Sequence, residues 1–94
     1  MSTRDAYVAR IKLQLDELHA GVTELDAKAK RARDEANAKY ERHMGKLRRE
    51  SEIAVAKLHE LKAAGEESWV LMVSEMDRMR DQFAQSFQYF KIQL

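Results

Sequence analysis

Met72, Met76 and Met79 stand at steps of four and three within the stretch "VLMVSEMDRMRDQF". Residues so spaced share one face of an α-helix. Three thioethers on one face are soft ligands suited to copper(I), and Met44 and His43 are the further donors such a centre would draw on. The competing expectation is packing. Trp69, Phe83, Phe87 and Phe90 fall in line with the methionines, and methionine fills irregular gaps beside aromatic rings. The line Trp69, Met72, Met76, Met79, Phe83, Phe87, Phe90 is therefore expected to form a hairpin core, with copper binding as the alternative.

A second constellation is basic. Lys28, Arg31, Lys39, Arg42, Lys46 and Arg49 share one helical face, interrupted by Glu35. At 1.5 Å per residue the ladder is about 32 Å long. It suits nucleic-acid phosphates or an anionic lipid or granule surface. It also flanks the apolar stripe described below, where ion pairs between helices form. Only Tyr40 interleaves for base stacking, and the pI of about 8.0 is low for a nucleic-acid binder. Ion pairing is the expectation, and a polyanion surface the alternative.

Catalytic groups are sparse. Without cysteine there is no disulfide, zinc-thiolate or thiol chemistry. No glycine-rich phosphate loop and no G-x-S-x-G occurs. His19, His43 and His59 have no second histidine three or four residues away. Asp16 and His19 form one D-x-x-H pair, whereas a di-metal bundle needs two such units and two more inward carboxylates. The expectation is a protein that is not an enzyme.

The surrounding elements are helical. The 94-residue chain has no proline, three glycines and 35% charged residues, the composition of a long helix or coiled coil. The opening "MSTRDAYVARIK" lacks the apolar core of a secretory signal, and no run of about 18 apolar residues spans a membrane; the expected compartment is the cytoplasm. Charge is unevenly spread: net −2 over residues 1–27, +5 over 28–50 and −2 over 51–94.

Ser2 is a suitable N-cap and Asp5 lies in the first turn. Apolar residues then recur at Val8, Ile11, Leu15, Leu18, Val22, Leu25, Ala29, Ala32 and Ala36, in alternating steps of three and four. That is a coiled-coil seam. It continues through Tyr40, Met44, Leu47, Ser51, Ala54, Leu58 and Leu61, with a stutter at 36–40–44. "KAAGEES" is the one expected break: Lys62 suits a helix end, Gly65 a left-handed residue beyond it, and Glu66 and Glu67 the next first turn. The spacing predicts an all-α hairpin with a helix over about 3–63, a turn at about 64–67 and a second helix over about 68–93. At about 90 Å and about 40 Å, the shorter helix would leave the stripe on residues 1–35 bare. A bare apolar stripe needs a partner. The expected state is a homo-oligomer, an antiparallel dimer foremost, with a protein partner for any surplus apolar surface.

"AYVARIKLQLDEL", the Ala/Lys/Arg-rich middle and "LHELKAAGEESW" resemble small bacterial coiled-coil domain-containing proteins, some grouped with a stress-response family. The resemblance covers nearly the whole chain. It implies a bacterial cytoplasmic scaffold or adaptor linked to stress, and carries over no catalytic or ligand residue. The methionine-rich second helix and the terminal "FQYFKIQL" depart from that pattern. Phasin-like granule coats share the amphipathic pattern alone. A family of small helical hairpins with a W-x-G turn does not fit, because Gly65 precedes Trp69.

Overall fold

The computed structural model describes residues 3–31 and 34–93, with side chains for 3–31 and 38–92. Three helices follow one another: α1 over Thr3–Lys30, α2 over Asp34–Ala63 and α3 over Glu66–Gln93. They form a three-helix bundle measuring 50 × 20 × 18 Å. The arrangement corrects the expectation of one helix over 3–63 paired with a shorter one. The chain reverses between Lys30 and Asp34 as well as after Ala63. The physical reason is the same stripe that called for a partner: its own chain supplies one. A tethered partner acts at an effective concentration of about a millimolar.

Local chemistry fits both ends of this first reversal. Lys28 and Lys30 occupy the last turn of α1, beside the negative end of its dipole. The Arg31 N–H donates to the Lys28 carbonyl at 3.1 Å, tightening that turn. α2 then opens with Asp34 and Glu35, residue types favoured at the positive end.

Contacts fix the directions. Arg4 near the start of α1 reaches the Leu61 carbonyl near the end of α2, and Arg48 donates to Asp26 Oδ1 at 2.6 Å. α1 and α2 are therefore antiparallel. Lys57 meets Glu75, and Ser86 meets Glu50, so α2 and α3 are antiparallel too. α1 and α3 run parallel.

The core joins all three helices. α1 buries Tyr7, Ile11, Leu15, Val22, Leu25 and Ala29. α2 buries Met44, Leu47, Ser51, Ala54, Leu58 and Leu61, and α3 buries Met76, Phe83, Phe87 and Phe90. Val8, Leu18, Tyr40, Trp69, Met72, Val73 and Met79 pack against this core half-buried. Each helix thus contributes a stripe of roughly one side chain per turn, the spacing a bundle needs. The N-terminal seam is consequently covered within one chain, which removes the bare stripe that argued for a dimer. Ala32 and Ala36 lie outside the described residues or side chains.

Two glycines have different reasons. A Cβ on Gly21 would lie 2.5 Å from Phe87 Cζ, so the ring rests directly on the α1 backbone. Gly45 faces open space.

The second turn also differs in detail from expectation. No glycine adopts a left-handed conformation, Gly65 included. The Ala64 N–H donates to the Leu61 carbonyl and the Ser68 N–H to the Gly65 carbonyl, both at 3.2 Å. The carbonyl end of α2 is capped from a distance. The Arg4 guanidinium donates to the carbonyls of Leu61 at 3.2 Å, Lys62 at 3.4 Å and Ala64. It also sits 4.5 Å over the Trp69 ring.

Candidate functional site

One polar cluster joins the first half of α1 to the middle of α3. Tyr7 donates to Asp77 Oδ1 at 2.6 Å, with the Val73 carbonyl 3.3 Å away as a second acceptor. Arg80 Nη1 lies 3.4 Å from the same Asp77 oxygen and donates to Gln14 Oε1 at 3.1 Å. Trp69 meets the Tyr7 ring edge-on at 5.7 Å, and the Arg10 guanidinium lies 5.2 Å from it. Burial, then the hydrogen bond to Asp77, pushes the Tyr7 phenol well above its ordinary value. The hydroxyl stays protonated across the neutral range and clamps α1 to α3. It is not poised to exchange a proton there.

A second cluster joins α2 and α3. Lys57 Nζ lies 2.7 Å from Glu75 Oε2 and 3.1 Å from Glu60 Oε2. The hydrogen bond to Glu75, then that to Glu60, raises the Lys57 ammonium above its usual range, and the Lys57 hydrogen bond lowers Glu75. Both groups stay charged at neutral pH. From the sequence, a chain folded back at Gly65 is expected to run Glu75, Asp77 and Asp81 beside the basic residues 28–50, and the contacts correct this. Glu75 meets Lys57, Asp77 meets Tyr7 and Arg80, and Asp81 meets Arg80 at 3.1 Å. The bundle places the start of α3 beside the end of α2, so among the described residues these acids pair with Lys57, Tyr7 and Arg80 and not with the basic middle.

The methionines are spread through the core. Met76 and Met44 are fully buried, and Met72 and Met79 are half-buried against the same core. The His43 ring stacks on Phe90 at 4.9 Å and 21°. Among the described residues, no three His, Asp or Glu side chains gather in a group that could hold a metal. His19 and His59 are exposed, and Asp16 pairs with Lys12 at 3.3 Å.

The basic ladder is divided. Lys28 belongs to α1 and Arg31 follows it, while Lys39, Arg42, Lys46 and Arg49 belong to α2. All six are exposed. The single 32 Å face therefore becomes two shorter ones, because the chain turns in the middle of it. The described ion pairs engage its neighbours Arg48 and Lys30, which both meet Asp26, and one of its own members, Lys46, which lies 3.9 Å from Glu50 Oε1.

Another surface lies off the core stripe of α3, where the sequence already sets Tyr89 and Ile92 on a different side of the last turn. Leu71, Tyr89 and Ile92 are 65%, 61% and 79% exposed. With Arg78, Gln82 and Gln85, also exposed, they fall within about 80° of arc at 100° per residue. Spacings of four and three from Gln82 onward repeat the pattern of the buried stripe on the opposite side. Beside this line, α2 supplies Lys46, Arg49 and Ile53 to a shallow groove of about 480 Å³, floored by Glu50 and Ser86. Ser86 donates to Glu50 Oε2 at 3.0 Å, which fixes the floor. The signal was in the sequence: a second apolar set, at Leu71, Tyr89 and Ile92, out of phase with the first.

Compared with known proteins, the chain matches no protein-family model, no curated protein and no solved structure at a significant level. No helix among the described residues is long and apolar enough to cross a membrane.

Proposed function

We propose that this chain is a non-enzymatic helical adaptor that receives another helix along the outer face of α3, beside α2. The observation that carries it is the exposed line of Leu71, Tyr89 and Ile92 on the outside of a bundle whose inside is already filled. Tyr89 and Ile92, three residues apart, with Leu71 on the same face eighteen residues before Tyr89, are anchors for an amphipathic helix. Charge selects the kind of helix. Lys46 and Arg49 border the line and Arg78 stands within it, with Glu67 on the same face at the start of α3, and Glu75 is held by Lys57. A helix with apolar residues every three or four positions and glutamates on its flanks is complementary. The polar middle, Gln82 and Gln85, offers amide hydrogen bonds that fix register.

A designed amphipathic peptide with glutamate flanks tests this by fluorescence anisotropy. It should bind, and its lysine-flanked counterpart should bind at least about tenfold more weakly at low salt. Leu71→Lys combined with Ile92→Lys should abolish binding while leaving the helical circular dichroism unchanged, because both positions are exposed. Binding that survives this double substitution, or that ignores flank charge, would refute the assignment.

A further inference from the structure

The first reversal lies in sequence that favours a helix. "KAKRARDEANA", residues 28–38, contains no glycine, no proline and no β-branched residue. Alanine, lysine, arginine and glutamate are strong helix formers. Apolar spacing also carries straight on, from Ala29 through Ala32 and Ala36 to Tyr40. A helix that ends at Lys30 and restarts at Asp34 forgoes the intrahelical hydrogen bonds that an unbroken helix would make across this stretch.

α1 touches α3 far less than it touches α2. It is packed along α2, but a groove of about 380 Å³ opens between it and α3, lined by Gln14, Leu18, Arg80 and Phe87 among others. Its contacts with α2 run from Arg4–Leu61 at one end to Asp26–Arg48 at the other. An α1 supplied by a second copy would take the same place on the α2–α3 hairpin and so recreate each of them between two chains. The contacts to α3, Tyr7 to Asp77, Arg80 to Gln14 and Phe87 on Gly21, would be recreated with them.

We propose that two copies of this chain exchange α1, each running straight from α1 into its own α2 and docking α1 on the α2–α3 hairpin of the other copy. The occupant of the α1 site is thus either the chain's own α1 or that of a second copy. Magnitudes decide when. Tethering presents a chain's own α1 at about millimolar effective concentration, and continuing a helix by a few residues gains little per residue. The closed form prevails in dilute solution and the exchanged dimer appears toward millimolar protein. Exchange is slow, because α1 must leave one core before entering another. The outer face of α3 takes no part, so this inference stands apart from the proposed helix-binding role.

Protein refolded from urea at about 1 mM and at about 10 µM, on either side of the tethering concentration, is measured by chromatography with light scattering. A species of twice the 11.0 kDa chain mass is expected at the higher concentration. Proline is not tolerated within a continuous helix. Arg31→Pro should therefore lower the dimer fraction at least tenfold, and so should a Gly-Ser-Gly insertion after Arg31. The insertion keeps the test decisive should the proline disturb the end of α1. Lys12→Cys carrying a donor dye, mixed with His59→Cys carrying an acceptor, should show energy transfer only after the chains are refolded together. No dimer at 1 mM, a dimer that both variants retain, or transfer appearing at once on mixing native chains would overturn exchange.

Discussion

The two chain reversals are built differently. Between α2 and α3 the sequence marks the turn, with Gly65 followed by Glu66 and Glu67, and the turn is then locked by Arg4, from the far end of the chain. Between α1 and α2 there is no glycine and no proline. There the charge order changes instead, from Lys28, Lys30 and Arg31 to Asp34 and Glu35. The lesson is that a helix end can be written in dipole-matched charge as well as in a breaker residue. Tertiary packing then decides whether that weaker signal becomes a turn.

If the α2–α3 hairpin is the better consolidated half, truncation there should cost most. Phe83 is fully buried on α3, and Phe83→Ala should destabilise the bundle by about 3–5 kcal/mol in urea unfolding. Leu18 on α1 is only half-buried, and its truncation should cost clearly less. Equal losses would erase the distinction between the two halves. Next in size is the remote cap. Arg4→Met removes charged hydrogen bonds to the end of α2, an expected loss of about 1–3 kcal/mol. An unchanged Tm would mean that the Gly65 turn closes without help from α1.

The glycines sharpen the comparison further. Gly45→Ala meets open space and should stabilise α2 by about 1 kcal/mol, the helix-propensity difference. Gly21→Ala carries the same propensity gain but forces the Phe87 ring to move. Overpacking costs about 1–3 kcal/mol, so this variant should be no more stable than the parent. Two stabilised variants would show that Phe87 does not rest on α1 as described.

The smallest effect is the pH dependence of the two clamps. Glu75 is lowered by Lys57, so its contribution is present above the ordinary glutamate pKa of about 4.3 and is lost on acidification. Lys57 and Tyr7 are raised. Their contributions are complete below the ordinary values, about 10, and decline as pH climbs further. Unfolding free energy should therefore fall on both flanks. Tyr7→Phe should reduce the alkaline decline alone, and Glu75→Gln should flatten the acid side. A Tyr7→Phe profile identical to the parent above pH 10 would remove the phenol from the α1–α3 clamp.

Much of the fold was legible. Helical class, the seam residues of α1 and α2, the aromatic stripe of α3 and the position of the second turn follow from spacing and end chemistry. Helix count did not. A seam that keeps its phase through Ala29, Ala32 and Ala36 says which face is apolar, but not whether the partner lies in the same chain. Tyr7 was hidden for a related reason. It stands one residue before the seam position Val8, and only the third helix gives its hydroxyl Asp77 to bind. The exposed stripe on α3 was present as Leu71, Tyr89 and Ile92, and became recognisable once the opposite face was seen to be filled.

Small-angle scattering on dilute protein, with mass measured on the same sample, tests the first reversal most directly. The three-helix fold predicts a particle of one chain's mass with a radius of gyration near the Cα value of 15.3 Å. A particle of one chain's mass with a radius of gyration of about 26 Å or more, that of a straight helix about 90 Å long, would contradict it.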